Sequence, residues 1–179
     1  MRIFRNGYDI TTIGVDLSKL ETFNQLRALE FSQPIVFTVG CFDLFHAGHV
    51  HLLREAHYLG ARLIVGLDTD ESVKKLKGDA RPFHPFAERL DILLACKFVD
   101  YVIEGSTDEW PEVMQALKPT TFVKGAEYRN SPCKLGELAQ NVKYIEMCGE
   151  LHTTRIIDVV RQTNGHYGPR RCKVSKNAD

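Results

Sequence analysis

Two histidines, His46 and His49, lie three residues apart in the stretch IVFTVGCFDLFHAGHVH, residues 35–51. Gly48 lies between them, and the stretch opens with a short apolar run typical of a strand buried on both faces. The histidines therefore fall just before and within the first turn of the next helix, whose unpaired N–H groups suit a phosphate. Two imidazoles directed at one point add hydrogen bonds that can be charge-assisted. The pattern favours phosphoryl or nucleotidyl transfer, in which catalysis consists largely of positioning and charge stabilisation.

Two other interpretations of these histidines stay open. The chain has seven histidines in 179 residues, so one nearby pair is unsurprising, and isolated histidines are often surface or satisfied core residues. His51 adds a third imidazole and with it the alternative of zinc. The three histidines lack a standard zinc spacing, however, and no second cluster completes a tetrahedral site. We therefore predict phosphate binding first, no ligand second and a resident metal last.

The residues between the strand and the histidines have expected roles of their own. Gly40 lets the backbone leave the strand without a side chain in the way. Asp43 either fixes the loop through backbone N–H groups, which we favour, or orients a histidine or Mg²⁺. Cys41 is expected to be a small packed thiol, because a nucleophilic thiolate needs an activating partner.

Five apolar segments alternate with helical patterns and must position this loop. The expected strands are IVFTV (35–39), ARLIVGLDTD, VDYVIEG, TTFVKG and VKYIEM. The alternation predicts one α/β domain with a doubly wound, Rossmann-like, five-stranded parallel sheet in the order 3-2-1-4-5. Ligands of such sheets bind beyond the carboxyl ends of the strands, where the order reverses, which is the loop that carries the histidines. We expect an extension over 1–17, the domain over 18–162 with a leading helix, and a basic, flexible tail over 163–179.

Composition limits the partners. Lys+Arg and Asp+Glu are balanced at 23 each, so no global field favours nucleic acid or an anionic membrane. The five cysteines form no CxxC pair and are odd in number, which favours reduced thiols in a cytosolic protein. No signal peptide and no apolar run of about 20 residues is evident, so a soluble, cytoplasmic protein is predicted.

The stretch GCFDLFHAGH resembles the nucleotide-binding signature of the cytidylyltransferase-like nucleotidyltransferases, and the resemblance extends over about residues 18–162 through LIVGLDTDESVKKLKG, RPFHPFAERLDIL, FVKGAEY and HTTRII. Such enzymes join an NTP to a phosphorylated small molecule and release pyrophosphate. Within the family, LKGDARPFHPFAER, VKGAEY and LSKLETFNQLRALE are most similar to heptose-phosphate adenylyltransferases. The resemblance implies ATP and heptose 1-phosphate as substrates, Mg²⁺ delivered with the NTP, and a homodimer. A CTP-dependent enzyme acting on glycerol 3-phosphate or a similar alcohol phosphate, and a non-catalytic nucleotide-binding module, remain alternatives.

The resemblance also implies a role for individual residues. Catalysis would fall to His46, His49 and Lys77, with Arg89 and Asp68 binding the acceptor. The plain alternatives are a solvated lysine at a helix end and an exposed helix arginine. The nucleotide would contact Val39, Gly40, Cys41, Phe42, Asp43, Gly48, Lys124, Gly125, Glu127, Thr153 and Thr154.

The chain departs from the family pattern just before the last helix. Relatives usually carry a GxSTT-like run where this chain has ELHTT, so Glu150 and His152 replace the usual glycine and serine. A carboxylate beside a triphosphate is unfavourable unless it points away or binds Mg²⁺. The two threonines could grip the β/γ-phosphates or simply cap the helix.

Overall fold

A computed structural model describes residues 2–5, 8–9, 34–60, 62–130, 134–146 and 153–162. The described strands are β1 (Ile3–Arg5), β2 (Tyr8–Asp9), β3 (Ile35–Gly40), β4 (Arg62–Asp68), β5 (Tyr101–Gly105), β6 (Thr121–Gly125) and β7 (Asn141–Ile145). The described α-helices are α1 (Ala47–His57), α2 (Asp70–Lys77), α3 (Phe86–Ala95), α4 (Trp110–Leu117) and α5 (Thr153–Gln162). Two 3₁₀ turns, Ala126–Tyr128 and Gly136–Leu138, follow β6 and precede β7.

The strands form one sheet in the order β2-β1-β5-β4-β3-β6-β7. The strands β3 to β7 pair in parallel, and their relative order corresponds to the predicted 3-2-1-4-5. The predicted count of five is wrong, because β1 pairs antiparallel with β5 and β2 pairs antiparallel with β1. These strands are only three and two residues long, too short for a periodic pattern to reveal them.

The sheet has an apolar core on each face. Side chains alternate along β3, so Ile35 and Phe37 belong to the cluster around α4 while Val36 belongs to the other. The second cluster includes Leu53 of α1 and Leu93 of α3, both fully buried. Burial on both faces explains why the central strands appear in the sequence as continuous apolar runs.

The amino-terminal residues contribute to this unit directly. Ile3 and Phe4 are buried and pair with Ile103 and Val102 of β5. Part of the segment 1–17, predicted as an extension, therefore belongs to the sheet. The rest of that segment, the leading helix and the tail lie outside the described residues, and the domain limits at 18 and 162 stay a prediction.

None of the helices in the described part of the chain is long and apolar enough to cross a bilayer. Cys41 and Cys96 are free thiols. The other three cysteines lie outside the described residues.

Candidate active site

The loop from β3 to α1 has an unusual backbone conformation. Phe42 and Leu44 have positive φ angles of 47° and 48°, a region that non-glycine residues rarely adopt. Gly40 is the last residue of β3, at the point where the chain leaves the strand. A Cβ on Gly40 would lie 3.2 Å from the Phe42 ring, so a side chain there would force that ring to shift. Strained backbone of this kind is concentrated at functional sites.

The two histidines cap the start of α1 reciprocally. His46 is the N-cap residue, and its Nδ1 accepts a hydrogen bond from the Gly48 N–H at 3.1 Å. His49 Nδ1 accepts from the His46 N–H at 3.3 Å. The rings stack with centroids 3.9 Å apart and planes inclined by 25°. Because a ring nitrogen that accepts a hydrogen bond carries no proton, each ring in its neutral form carries its proton on Nε2. The pair therefore offers two adjacent Nε2–H donors at a helix N-terminus.

His49 is uncharged at neutral pH. Burial lowers its pKa from 6.5 to about 3, and the neighbouring charges of His46 and Lys77 act in the same direction, opposed by Asp43. The expectation of charge-assisted donation is thus corrected for this residue. His49 donates as a neutral imidazole, so positive charge for a phosphate must come from other groups.

This pKa predicts that stability falls on acidification below pH 6.5. Between pH 6.5 and about 3 the unfolded chain binds a proton at His49 that the folded chain does not, so proton uptake favours unfolding. The expected loss in unfolding free energy is up to about 1.4 kcal/mol per pH unit from this group. Urea unfolding at pH 7, 6 and 5 measures it. His49→Asn, which cannot titrate, should show a shallower slope, and equal slopes would contradict the assignment.

The carboxylate of Asp43 fixes the loop, as favoured from the sequence. Oδ1 accepts from the N–H groups of Leu44 and His84, both at 3.0 Å. Oδ2 accepts from Arg81 Nε at 2.7 Å and from the Phe83 N–H at 2.9 Å. Burial alone would raise the pKa of Asp43, but the Phe83 and His84 amides and Arg81 outweigh it and hold the pKa below 3.8. With about four lone-pair positions used, the carboxylate is saturated by protein donors.

Arg89 positions the loops instead of contacting substrate. Its side chain is fully buried, and its Nη2 pairs with Asp70 Oδ1 at 2.7 Å. The same guanidinium donates to the carbonyls of Cys41 at 2.6 Å, Asp68 at 2.8 Å and His84 at 3.0 Å. Four of its five N–H groups are thereby used within the protein. The predicted acceptor clamp is corrected, and so is the alternative of an exposed helix arginine.

Asp68 is also consumed by the protein, so its predicted role in binding the acceptor is corrected. Its Oδ1 accepts from Trp110 Nε1 at 2.9 Å and from Ser72 Oγ at 3.3 Å. The thiol of Cys41 donates to Oδ2 at 3.7 Å. Burial raises the pKa of Cys41, with Asp68 adding to the rise against Lys77 and Arg89. The thiol stays protonated and packed, in line with the expectation from the sequence.

The end of β6 forms a second side of the site. Lys124 Nζ donates to the Val39 carbonyl at 3.4 Å and lies 4.9 Å from the centre of the Tyr128 ring. The Glu127 carboxylate folds back over Gly125, so a Cβ at this glycine would collide with it. Burial raises the pKa of Tyr128, and the carboxylates of Glu127 and Asp68 add to the effect. Val39, Lys124, Gly125 and Glu127 are thus brought beside the histidine loop.

Two further elements approach this loop. Thr153 at the start of α5 donates its hydroxyl to the Asp43 carbonyl at 3.3 Å, which brings a second helix N-terminus to the loop. Lys77, in the last turn of α2, is close enough for its charge to affect both His49 and Cys41. The side chain of Thr154, and the departures at Glu150 and His152, lie outside the described residues.

Known proteins share this architecture and sequence. The profile of the family described as Cytidylyltransferase-like matches residues 37–165. The chain belongs to the cytidylyltransferase-like family. It is 42% identical over 140 residues to the bifunctional protein HldE of Helicobacter pylori strain J99, and 39% identical over 157 residues to that of Campylobacter fetus. These matches cover 78% and 88% of this chain but 30% and 33% of the relatives, so the chain spans about a third of their length.

Solved structures show the same fold at lower sequence identity. A lipopolysaccharide core biosynthesis protein from Thermoplasma volcanium superposes with a TM-score of 0.54 and 24% identity, covering 65% of this chain and 97% of that one. A pantoate-beta-alanine ligase from Francisella tularensis superposes with a TM-score of 0.52 and 15% identity, covering 80% and 75%. At these identities the likeness concerns the cytidylyltransferase-like fold alone.

Sequence reasoning assigned no role to Arg81 in this cytidylyltransferase-like chain. In the sequence, RPFHP is a short connection with two prolines, but in the structure Arg81, Phe83 and His84 all donate to Asp43. An arginine placed directly before a proline in a short connection was the available signal. His51 lies apart from the histidine pair, because its ring nitrogens contact the Glu146 carbonyl and Arg54. Within the described ranges, no group of three or more His, Cys, Asp or Glu side chains could hold a metal.

Proposed function

We propose that this chain transfers AMP from ATP to heptose 1-phosphate, giving ADP-heptose and pyrophosphate. The observation that carries the proposal is the reciprocal cap of His46 and His49, which sets two Nε2–H donors side by side at the start of α1. Membership of the cytidylyltransferase-like family and the identity to HldE proteins support it. The similarity of LKGDARPFHPFAER and VKGAEY to heptose-phosphate adenylyltransferases supports the choice of substrates.

The reaction needs positioned donors more than a base. An oxygen of the acceptor phosphate forms a bond to the α-phosphorus of ATP. The bond from the α-phosphorus to the oxygen that bridges it to the β-phosphorus breaks. The electron pair of the broken bond leaves with pyrophosphate. In the transition state, the negative charge on the α-phosphoryl oxygens is redistributed. The Nε2–H groups of His46 and His49 would donate to those oxygens. The acceptor phosphate is already ionised at neutral pH, so neither imidazole needs to remove a proton.

The neighbouring elements supply the remaining contacts. The N-termini of α1 and α5 present N–H groups to the triphosphate, and Lys77 contributes positive charge. Lys124, Glu127 and Tyr128 would lie beside the base and ribose. Buried Asp68 and Arg89 hold the loops between these groups, so the geometry would be set before substrates bind.

Mg²⁺ would be held mainly by the nucleotide. The Asp43 carboxylate is occupied by protein donors, and Asp68 is only 3% exposed, so neither is expected to be a main ligand of the cation. Mg²⁺ prefers phosphate oxygens and water to an all-protein cage, and it would neutralise part of the triphosphate charge. The cytoplasmic location stays a prediction, and so does the homodimer that the resemblance implies.

A pyrophosphate-release screen tests the proposal. The folded protein is incubated with Mg²⁺, each of ATP, CTP, GTP and UTP, and either heptose 1-phosphate or glycerol 3-phosphate. We expect release with ATP and heptose 1-phosphate well above the rate with ATP alone. Release only with CTP would favour the cytidylyltransferase alternative. Nucleotide binding, seen as thermal stabilisation, without release from any pair would favour the non-catalytic module.

A further inference from the structure

The guanidinium of Arg81 has one nitrogen that makes no hydrogen bond to the described residues. Its Nε donates to Asp43 Oδ2 at 2.7 Å, and its side chain is only 13% exposed. Its Nη2 is buried and has no hydrogen-bond partner in the part of the chain that the structure describes. The Phe83 ring lies 5.1 Å from the guanidinium carbon and flanks it. Arg81 is therefore held by its Nε, while its Nη2 finds no acceptor among the described residues.

A buried guanidinium nitrogen without an acceptor costs free energy unless a ligand supplies that acceptor. A buried donor without an acceptor loses its hydration, which is why native proteins rarely leave one unsatisfied. Asp43 cannot take the second nitrogen, because backbone N–H groups of Leu44, Phe83 and His84 occupy its other acceptor positions. The planar fork of arginine matches the spacing of two phosphate oxygens. The unused edge of Arg81 thus has the chemistry of a phosphate-binding group.

Arg81 is connected to the loop of the histidine pair through Asp43. Its partner Asp43 lies three residues before His46 in the same loop, and the Asp43 carbonyl accepts from Thr153 at the start of α5. His49 is neutral, so the two imidazoles do not by themselves balance the charge of bound phosphates. A fixed cation attached to this loop would supply that charge without reorganising during the reaction.

We propose that Arg81 binds a phosphate group of a substrate of this enzyme through its Nη edge, oriented by Asp43. The inference rests on the proposed function, and two substrates could supply the phosphate. One is the acceptor sugar phosphate and the other is the triphosphate of ATP. The chemistry is the same, and the kinetic experiment separates the two.

The test compares Arg81→Gln and Arg81→Lys with wild type and with Arg62→Gln. Arg62 is the first residue of β4, so it lies at the amino ends of the strands, away from the histidine loop at their carboxyl ends. Its side chain is 40% exposed and pairs with Asp100, so its loss should change neither the KM for heptose 1-phosphate nor the Kd of ATP beyond twofold. For Arg81→Gln we expect at least a tenfold rise in either the KM for heptose 1-phosphate or the Kd of ATP. A rise in KM for heptose 1-phosphate assigns the acceptor, and a rise in the Kd of ATP, measured calorimetrically without acceptor, assigns the triphosphate. Arg81→Lys should recover only part of the loss, because an ammonium cannot bind in two-pronged fashion.

A purely structural role for Arg81 would give a different result. Both constants are measured below the melting temperature of Arg81→Gln, where the variant is folded. If the variant melts at a lower temperature but its KM for heptose 1-phosphate and its Kd of ATP stay within twofold of wild type, the proposal is overturned. If wild type turns over no acceptor, the proposed function fails while this inference remains testable. Pyrophosphate alone is then titrated into wild type and Arg81→Gln. At least tenfold weaker binding by the variant supports a phosphate site, and equal binding, or none by either, overturns it.

Discussion

Replacing His49 with alanine is expected to lower kcat for pyrophosphate release by about 10²–10³-fold, the usual loss when one preorganised donor to a developing charge is removed. The reason is the Nε2–H of a neutral ring, held in place by the hydrogen bond from the His46 N–H to Nδ1. Because that bond also caps α1, His49→Ala removes a cap as well as a donor. Steady-state kinetics and urea unfolding must therefore be measured together.

His49→Asn separates the two effects. The asparagine oxygen can accept from the His46 N–H in place of Nδ1, which keeps the cap, but nothing replaces the Nε2–H. We expect stability close to wild type at pH 7 and a kcat nearly as low as that of the alanine variant. His51→Ala is the matched control on the same helix, since its ring contacts Glu146 and Arg54, and its kcat should stay within threefold. Near-normal kcat in His49→Asn would show that the ring nitrogen takes no part in the reaction.

Replacing Arg89 with methionine is expected to destabilise the fold by about 3 kcal/mol, the lower end of the range for a fully buried ion pair, because Arg89 is buried but Asp70 is 37% exposed. The substitution removes the charge that pairs with Asp70 and leaves the carbonyls of Cys41, Asp68 and His84 without their donor. Methionine fills similar space, so the loss is polar and not a cavity. Urea unfolding at pH 7 measures it, and exposed Arg54→Met should change stability by no more than about 0.5 kcal/mol.

The same variant also tests the role that the sequence suggested. Arg89→Lys should not restore stability, because an ammonium cannot reach the four acceptors that the guanidinium joins. If Arg89→Met instead unfolds like wild type and only raises KM for the acceptor, the direct clamp predicted from the sequence is right and the positioning role is wrong.

The sequence predicted the central strands and the histidine loop because each has a strong local signal. Buried parallel strands leave continuous apolar runs, and HAGH directly follows one of them. The roles of Asp68 and Arg89 depend on contacts across 19 to 48 positions of the chain, which no local pattern records. A charged residue near a ligand site and a charged residue that builds the site are alike in sequence. Only burial and partners distinguish them.

Arg81 and β1 were missed for a related reason. Three residues of strand are too few to alternate visibly, and an arginine in a short proline-containing connection resembles any surface arginine. The strand β1 is defined by its pairing with β5, and Arg81 acquires its role through the hydrogen bond to Asp43. Such effects are products of tertiary contact and not of propensity.

The reciprocal imidazole cap limits which amino acids positions 46 and 49 accept. Each position needs a side-chain acceptor to start α1 and, under the proposed function, an N–H donor as well, so few amino acids meet both demands. A library randomised at these two codons should therefore lose soluble expression and turnover in the same clones. New specificity is more readily selected around Lys124 and Tyr128, which cap none of the described α-helices.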